Sequence, residues 1–300
     1  MLGIQLSELP NLRLSQMTIP LLGTADILPG RSGPASMCQN HNARPTSMSV
    51  RRCIMAVIGF GLSCTGVVLG QEHKPEHIWS YSGSLGPDHW GDLKPEFAAC
   101  KDGHRQSPIN IQSPQTADLP AIEFDYKPSA LRIVDNGHTI LITYAPGSFI
   151  RVGDKRYELK QFHFHRPSEE KINGRDFDMV AHLVHADKEG NLAVVAVLLD
   201  KGSDNPLVHE LWNDLPKEKD KEATLDKIQI DLTQLLPANR GYYTFPGSLT
   251  TPPCSENVTW FVLKSPVTIT DAEVARFATL YSNDARPTQP LNGRVVLETK

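Results

Sequence analysis

Five runs between residues 139 and 263 constrain the fold more than any other feature: TILITY (139–144), YELKQFHFH (157–165), MVAHLVHA (179–186), NLAVVAVLL (191–199) and VTWFVL (258–263). Each is rich in β-branched and aromatic residues, which suit a pleated, half-buried surface. Turn signals such as NGH, GD, NG and KEGN fall between them. Two further segments read as helices. PLVHELWNDL places Leu207, Leu211 and Leu215 four apart, and TDAEVARFATLY opens with the capping pair Thr270 and Glu273 before Val274, Phe277 and Tyr281 on one face. No repeat or low-complexity linker divides residues 75–300, so one β-rich domain is the simplest account.

The N-terminal quarter reads differently. Residues 53–70, CIMAVIGFGLSCTGVVLG, form the one long uncharged apolar run, with Arg51 and Arg52 before it and Met48 opening MSVRR. This predicts a signal peptide over 48–70, cleaved after Gly70, with Val68 and Gly70 at the small-residue positions. An uncleaved anchor is the alternative, since such a run just spans a bilayer; lipidation at Cys64 is a poorer fit. Residues 1–47 then read either as an over-extended start upstream of Met48 or as a disordered extension. The domain expected to carry the function is 71–300, periplasmic or secreted, with no stable membrane anchor after cleavage.

Residues 1–70 hold five arginines and two acidic residues, so their removal leaves 25 basic and 32 acidic side chains, about −7. No basic run interleaved with aromatics remains, which argues against nucleic acid as a partner. Of the five cysteines, Cys38, Cys53 and Cys64 fall in the removed segment. Cys100 and Cys254 remain, and an even pair in an exported chain reads as one disulfide. Two separate buried thiols are the other reading.

The stretch QFHFHRPSEE (161–170) carries the chemistry. On an extended strand, Tyr157, Leu159, Gln161, His163 and His165 share a face, so the two histidines point the same way, as two ligands of one metal do. Catalytic zinc commonly takes three protein ligands and leaves a fourth position open. His182, His185, His209 and His138 are candidates for the third, and of His182 and His185, three apart on a strand, only one can join. H-E-x-x-H is absent, against a common metalloprotease arrangement. A cupin pattern is a competing reading, with His163, His165, Glu169 and His209 holding iron or manganese in a double-sheet barrel, although His209 sits in a helical pattern.

Ordered motifs favour another account. WSYSG at 79, GPDHWG at 86, RQSPINI at 105, NGH at 136, QFHFH at 161, SEE at 168, HLVH at 182, SLTTPPCSE at 248, VTW at 258 and RPTQPLNGR at 286 together resemble an α-class carbonic anhydrase of the bacterial, exported type. The resemblance spans Trp79 to the C-terminus. It implies a large twisted, mostly antiparallel central sheet with short peripheral helices. It also implies a lyase that hydrates carbon dioxide reversibly to bicarbonate and a proton, and inhibition by sulfonamides, in a monomer or homodimer. One Zn2+ per chain is expected on His163, His165 and His182, with a zinc-bound hydroxide oriented by Thr250 and Glu169.

The same resemblance makes His138 the proton shuttle, with Tyr81 and Asn136 ordering the connecting waters. Val184, Val194, Leu249, Thr251, Val258 and Trp260 match the substrate pocket, and Cys100 and Cys254 align with a family disulfide. Gln161 matches a partner of the first ligand. The residue two before His182 is usually a glutamate but is Val180 here, while Glu170 stands where the family often has histidine. The two departures suggest that Glu170 takes over orienting His182. A non-catalytic carbonic-anhydrase-like binding module is the alternative, although such relatives usually lack a zinc histidine.

Overall fold

The computed structural model describes residues 77–300. The predicted signal segment, the extension before it, and Cys38, Cys53 and Cys64 lie outside the described residues. The organising element is a 13-stranded sheet. Its central strands are β1 (Ser129–Asp135), β2 (Ile140–Thr143), β3 (Lys155–His165), β4 (Met179–Ala186), β5 (Leu192–Lys201), β6 (Ala223–Ile230), β7 (Tyr242–Ser248) and β8 (Glu256–Leu263). Across the sheet they run β6-β1-β2-β3-β4-β5-β8-β7, ending in the short strands Leu297–Thr299 and Gln115–Ala117. Pairing is antiparallel from β6 to β5 and again between β8 and β7, whereas β5 and β8 are parallel.

Alternation sends successive side chains to opposite faces, and the two faces bury two separate apolar layers. On β5, Ala193, Val195, Val197 and Leu199 join one layer, while Val194, Ala196 and Leu198 join the other. On β8, Phe261 and Leu263 go with the first set and Val258, Trp260 and Val262 with the second. The first layer is covered by α1 (Pro206–Asn213), which buries Leu207, Val208, Leu211 and Trp212, and α2 (Asp271–Ala278), which buries Val274 and Phe277. Asn205 caps α1 by accepting from the amides of Leu207 and Val208, and Pro206 follows where no amide hydrogen is needed. The predicted capping box at Thr270 and Glu273 is present in α2. Among the described residues, no helix is long and apolar enough to cross a membrane.

One expectation is corrected. Tyr157 and Leu159 do not share a face with the histidines. The β3–β4 register shifts between Leu159, opposite His185, and Gln161, opposite Val184, leaving Lys160 as an extra residue on β3. Such a bulge breaks the two-residue period. Tyr157 and Leu159 therefore pack with Phe162 and Phe164 in the helix-covered layer, and Gln161, His163 and His165 turn to the other side.

Near the other side, Cys100 and Cys254 form a disulfide across 154 positions of sequence, packed with Trp90 and Phe97.

Candidate metal centre

His163 on β3 stands opposite His182 on β4, and His165 lies two residues further along β3. Directly opposed residues of an antiparallel pair project to the same face, so three imidazoles meet there. Their ring centres are 5.0 Å (His163–His165), 5.4 Å (His163–His182) and 4.8 Å (His165–His182) apart. One nitrogen from each lies within 4.8 Å of the others. His185 points the opposite way, buried and 2.8 Å from the Tyr126 hydroxyl. His209 lies on α1, so the cupin set is not assembled.

The second nitrogen of each ring is engaged, and that decides which nitrogen is free. His163 Nδ1 donates to Gln161 Oε1 at 2.8 Å, His165 Nδ1 to the Asp284 carbonyl at 2.7 Å, and His182 Nε2 to Glu170 Oε2 at 3.1 Å. An imidazole that donates through one nitrogen offers a lone pair at the other. His163 Nε2, His165 Nε2 and His182 Nδ1 therefore turn unprotonated lone pairs toward one another. His165 Nε2 is buried without a hydrogen-bond partner among the described residues. Burial pushes the His163 pKa down to about 3 and that of His165 well below its usual value, so both are neutral at pH 7. Burial works to lower the His182 pKa too, but the Glu170 charge and hydrogen bond, with Glu169, outweigh it and raise the value. Three nitrogen donors with their rear nitrogens anchored are what a zinc ion requires of a protein.

Glu169 and Glu170 are both buried. Glu169 Oε2 reaches between two rings, 3.6 Å from His165 Nε2 and 3.8 Å from His182 Nδ1, while Oε1 accepts from the Arg286 amide at 2.8 Å. Burial pushes the Glu169 pKa up to about 7, against the lowering influence of His182, the Arg286 amide and Thr250. The Thr250 hydroxyl favours the ionised form, while Glu169 Oε2 has no hydrogen-bond partner among the described residues.

Five of the six predicted pocket residues share one apolar cluster, which Trp260 brings against His182. Val194, Val258 and Trp260 are buried in one apolar cluster, with Val184 and Leu249 packed against it. The Trp260 ring centre is 4.9 Å from that of His182, and its Nε1 donates to the Ser248 carbonyl. Thr251 is partly exposed and its carbonyl accepts from the Cys254 amide in the adjoining turn. No side chain fits at Gly247, where a Cβ atom would stand 2.2 Å from Ser107 Oγ and 2.7 Å from the Trp260 ring.

His138 is half-buried. Its ring stacks on Trp79, with centres 3.6 Å apart, and its Nε2 is 3.3 Å from His77 Nδ1. His77 in turn contacts Asp220 at 3.1 Å. Burial first, then His77, lowers the His138 pKa to about 4. Asn136 uses its side-chain oxygen within the turn, accepting from the amides of His138 and Thr139. The Tyr81 hydroxyl is buried without a partner among the described residues, its ring 6.5 Å from that of His165.

Sequence reasoning missed Asp284, His77 and Arg286. The Asp284 contact is a backbone carbonyl, which leaves no residue signature. Arg286 opens the RPTQP motif, and only three dimensions reveal its guanidinium donating to Gln106, Ser107 and Cys100.

Comparison with known proteins places this geometry. The eukaryotic-type carbonic anhydrase family matches residues 85–300. A carbonic anhydrase of Nostoc sp. is 39% identical over 261 residues, covering 84% of this chain and 99% of the relative. One of Neisseria gonorrhoeae is 42% identical over 243 residues, 79% of this chain and 94% of that protein. Among solved structures, the α-carbonic anhydrase of Thermovibrio ammonificans in complex with sulfanilamide is 44% identical, with a TM-score of 0.71 over 73% of this chain and 98% of that one.

Proposed function

The chain belongs to the eukaryotic-type, or α-class, carbonic anhydrase family and is an enzyme of that kind, and from this premise we propose that it hydrates carbon dioxide reversibly with one zinc ion per chain. The observation that carries the zinc assignment is the convergence of three imidazole lone pairs whose rear nitrogens are all engaged. A zinc ion held by His163, His165 and His182 supplies the Lewis acidity that makes water nucleophilic at neutral pH, an effect for which carbonic anhydrase is itself the standard example.

The protein's own residues do the rest. Glu169 in its ionised form, fixed by the Arg286 amide, accepts a hydrogen bond from the Thr250 hydroxyl. Thr250 Oγ1 is then left as an acceptor for a hydrogen of the attacking water, which aims that water's lone pair. Carbon dioxide is nonpolar, and the wall of Val184, Val194, Leu249, Val258 and Trp260 receives it at the cost of little more than its modest hydration. His138 carries the proton outward. Stacked on Trp79 with its pKa lowered to about 4, the ring gives up a proton at pH 7. Accepting one requires it to leave the stack, where its value returns toward about 6.5. Glu170 orients His182 through Nε2 in place of the carboxylate that Val180 lacks. We also infer sulfonamide inhibition and export to an oxidising compartment. The apolar run over 53–70 and the Cys100–Cys254 bond support export, since such bonds persist outside the cytosol.

The test is carbon dioxide hydration by the full chain as purified, after zinc is stripped and after it is restored. Activity that vanishes and returns, and that His182→Ala abolishes, is expected. A chain that binds one zinc at the triad yet hydrates nothing would be a binding module instead.

A further inference from the structure

A second group of metal-ligating side chains lies on the helix-covered side of the sheet and shares no residue with the triad. Asp204 precedes the cap of α1, His209 lies one turn into that helix, and Glu273 stands in the first turn of α2. One ligand atom from each lies within 4.8 Å of the others. The helices that carry them are locked together: Trp212 Nε1 donates to the Glu273 carbonyl at 2.9 Å, and the Trp212 ring stacks on Phe277. Asn205 does the capping of α1, so Asp204 has no part in it.

Glu273 provides the independent sign. It is only 6% exposed. Its Oε2 is occupied by the Thr270 amide and hydroxyl at 2.7 and 3.0 Å. Its Oε1 is buried and has no hydrogen-bond partner among the described residues. A buried carboxylate oxygen without a donor is costly, and a cation held by the Glu273 carboxylate together with the other two groups offsets that cost.

We propose that Asp204, His209 and Glu273 form a second, structural site for a divalent transition-metal ion that clasps α1 to α2. Asp204 Oδ1 and His209 Nδ1 are 3.4 Å apart. That equals the edge of a tetrahedron with metal–ligand bonds of about 2.1 Å, the usual length for zinc with nitrogen and oxygen donors. One imidazole and two carboxylates suit zinc, cobalt, nickel or copper, whereas calcium and magnesium call for oxygen ligands throughout. The Asp204 and His209 side chains are 55% and 60% exposed, which leaves water free to complete the coordination. The positive ends of both helices oppose a cation here, so this site binds more weakly than the three imidazoles.

Zinc itself is the probe, applied to the full chain by equilibrium dialysis over a range of free zinc, with bound metal counted per chain. The parent protein takes up one more zinc than either His209→Ala or Asp204→Asn, at concentrations at least tenfold above those that fill the triad. Carbon dioxide hydration is the same in all three proteins. Both substitutions are at exposed positions outside the core, and Glu273 is left intact because its cap supports α2. In the parent alone, zinc beyond the first equivalent raises the thermal midpoint. Equal zinc stoichiometry in the parent and both variants overturns the proposal, whether that number is one or two.

Discussion

Glu170 is the residue on which the reading of the metal centre can be tried most sharply. It is fully buried, and its Oε2 lies 3.1 Å from His182 Nε2. The carboxylate holds the proton on Nε2, directs the Nδ1 lone pair inward, and raises the ring's donor strength. Glu170→Gln keeps the shape and an acceptor oxygen but removes the charge. Loss of such an outer partner typically weakens metal affinity or activity 10–100-fold, about 1.4–2.7 kcal/mol. We expect Gln near the lower end. Glu170→Ala also strands the buried Nε2–H, which costs about 1–3 kcal/mol more, so its affinity loss reaches or exceeds the upper end. Competition against a chromogenic chelator measures zinc affinity, and stopped-flow hydration measures turnover of the zinc-saturated variants. If both variants hold zinc within twofold of the parent, the carboxylate does not orient His182, and Val180 has no substitute.

Three further outcomes follow from other parts of the molecule. Burial lowers the His185 pKa to about 3. The unfolded chain therefore binds the proton that the folded chain refuses, and stability falls as pH drops from about 6.5 toward 3. Between pH 7.5 and 5 this amounts to about 2 kcal/mol. Urea unfolding of His185→Gln should show a pH dependence shallower by that amount, and an unchanged one refutes the assignment. Reducing the Cys100–Cys254 bond, which closes a loop across 154 positions, should lower stability by about 3–5 kcal/mol. A thermal midpoint unmoved by reductant would contradict this. Gly247→Ala forces a methyl group against Ser107 and the Trp260 ring, and overpacking of this kind costs about 1–3 kcal/mol. Denaturant titration gives the number, and a neutral result would mean that the Trp260 wall yields easily.

The strands legible in sequence were those buried on both faces or carrying strong alternation, such as β4 and β5, whose hydrophobic content exceeds anything a loop tolerates. β6, ATLDKIQI, passed unread because it lies at the edge of the sheet with half its residues exposed, and only its pairing with β1 defines it. β7, YYTFPGS, holds a proline and a glycine, both depleted in strands, yet it is kept extended between β8 and Leu297–Thr299. The histidines were visible because HFH and HLVH are local patterns. Their anchors divide by kind: Gln161 is local and was found, whereas the Asp284 carbonyl arrives from 119 positions away and carries no side-chain signature. Strict alternation predicted the wrong neighbours for His163 because a bulge is a property of two strands together, and one strand's sequence does not contain it.

The extra residue at Lys160 means that the metal centre is addressed by counting as well as by chemistry. Upstream of it, odd-numbered side chains of β3 face the helices; downstream, odd-numbered side chains face the metal. Removing that single residue would leave every histidine, every glutamate and the apolar composition of the strand untouched, yet would set the two halves of β3 in conflict over which side each belongs to. Either Tyr157 and Leu159 are pulled out of their layer, or His163 and His165 are turned away from His182. A relative that keeps every ligand but lacks this one position has the parts of the centre without the offset that brings them together.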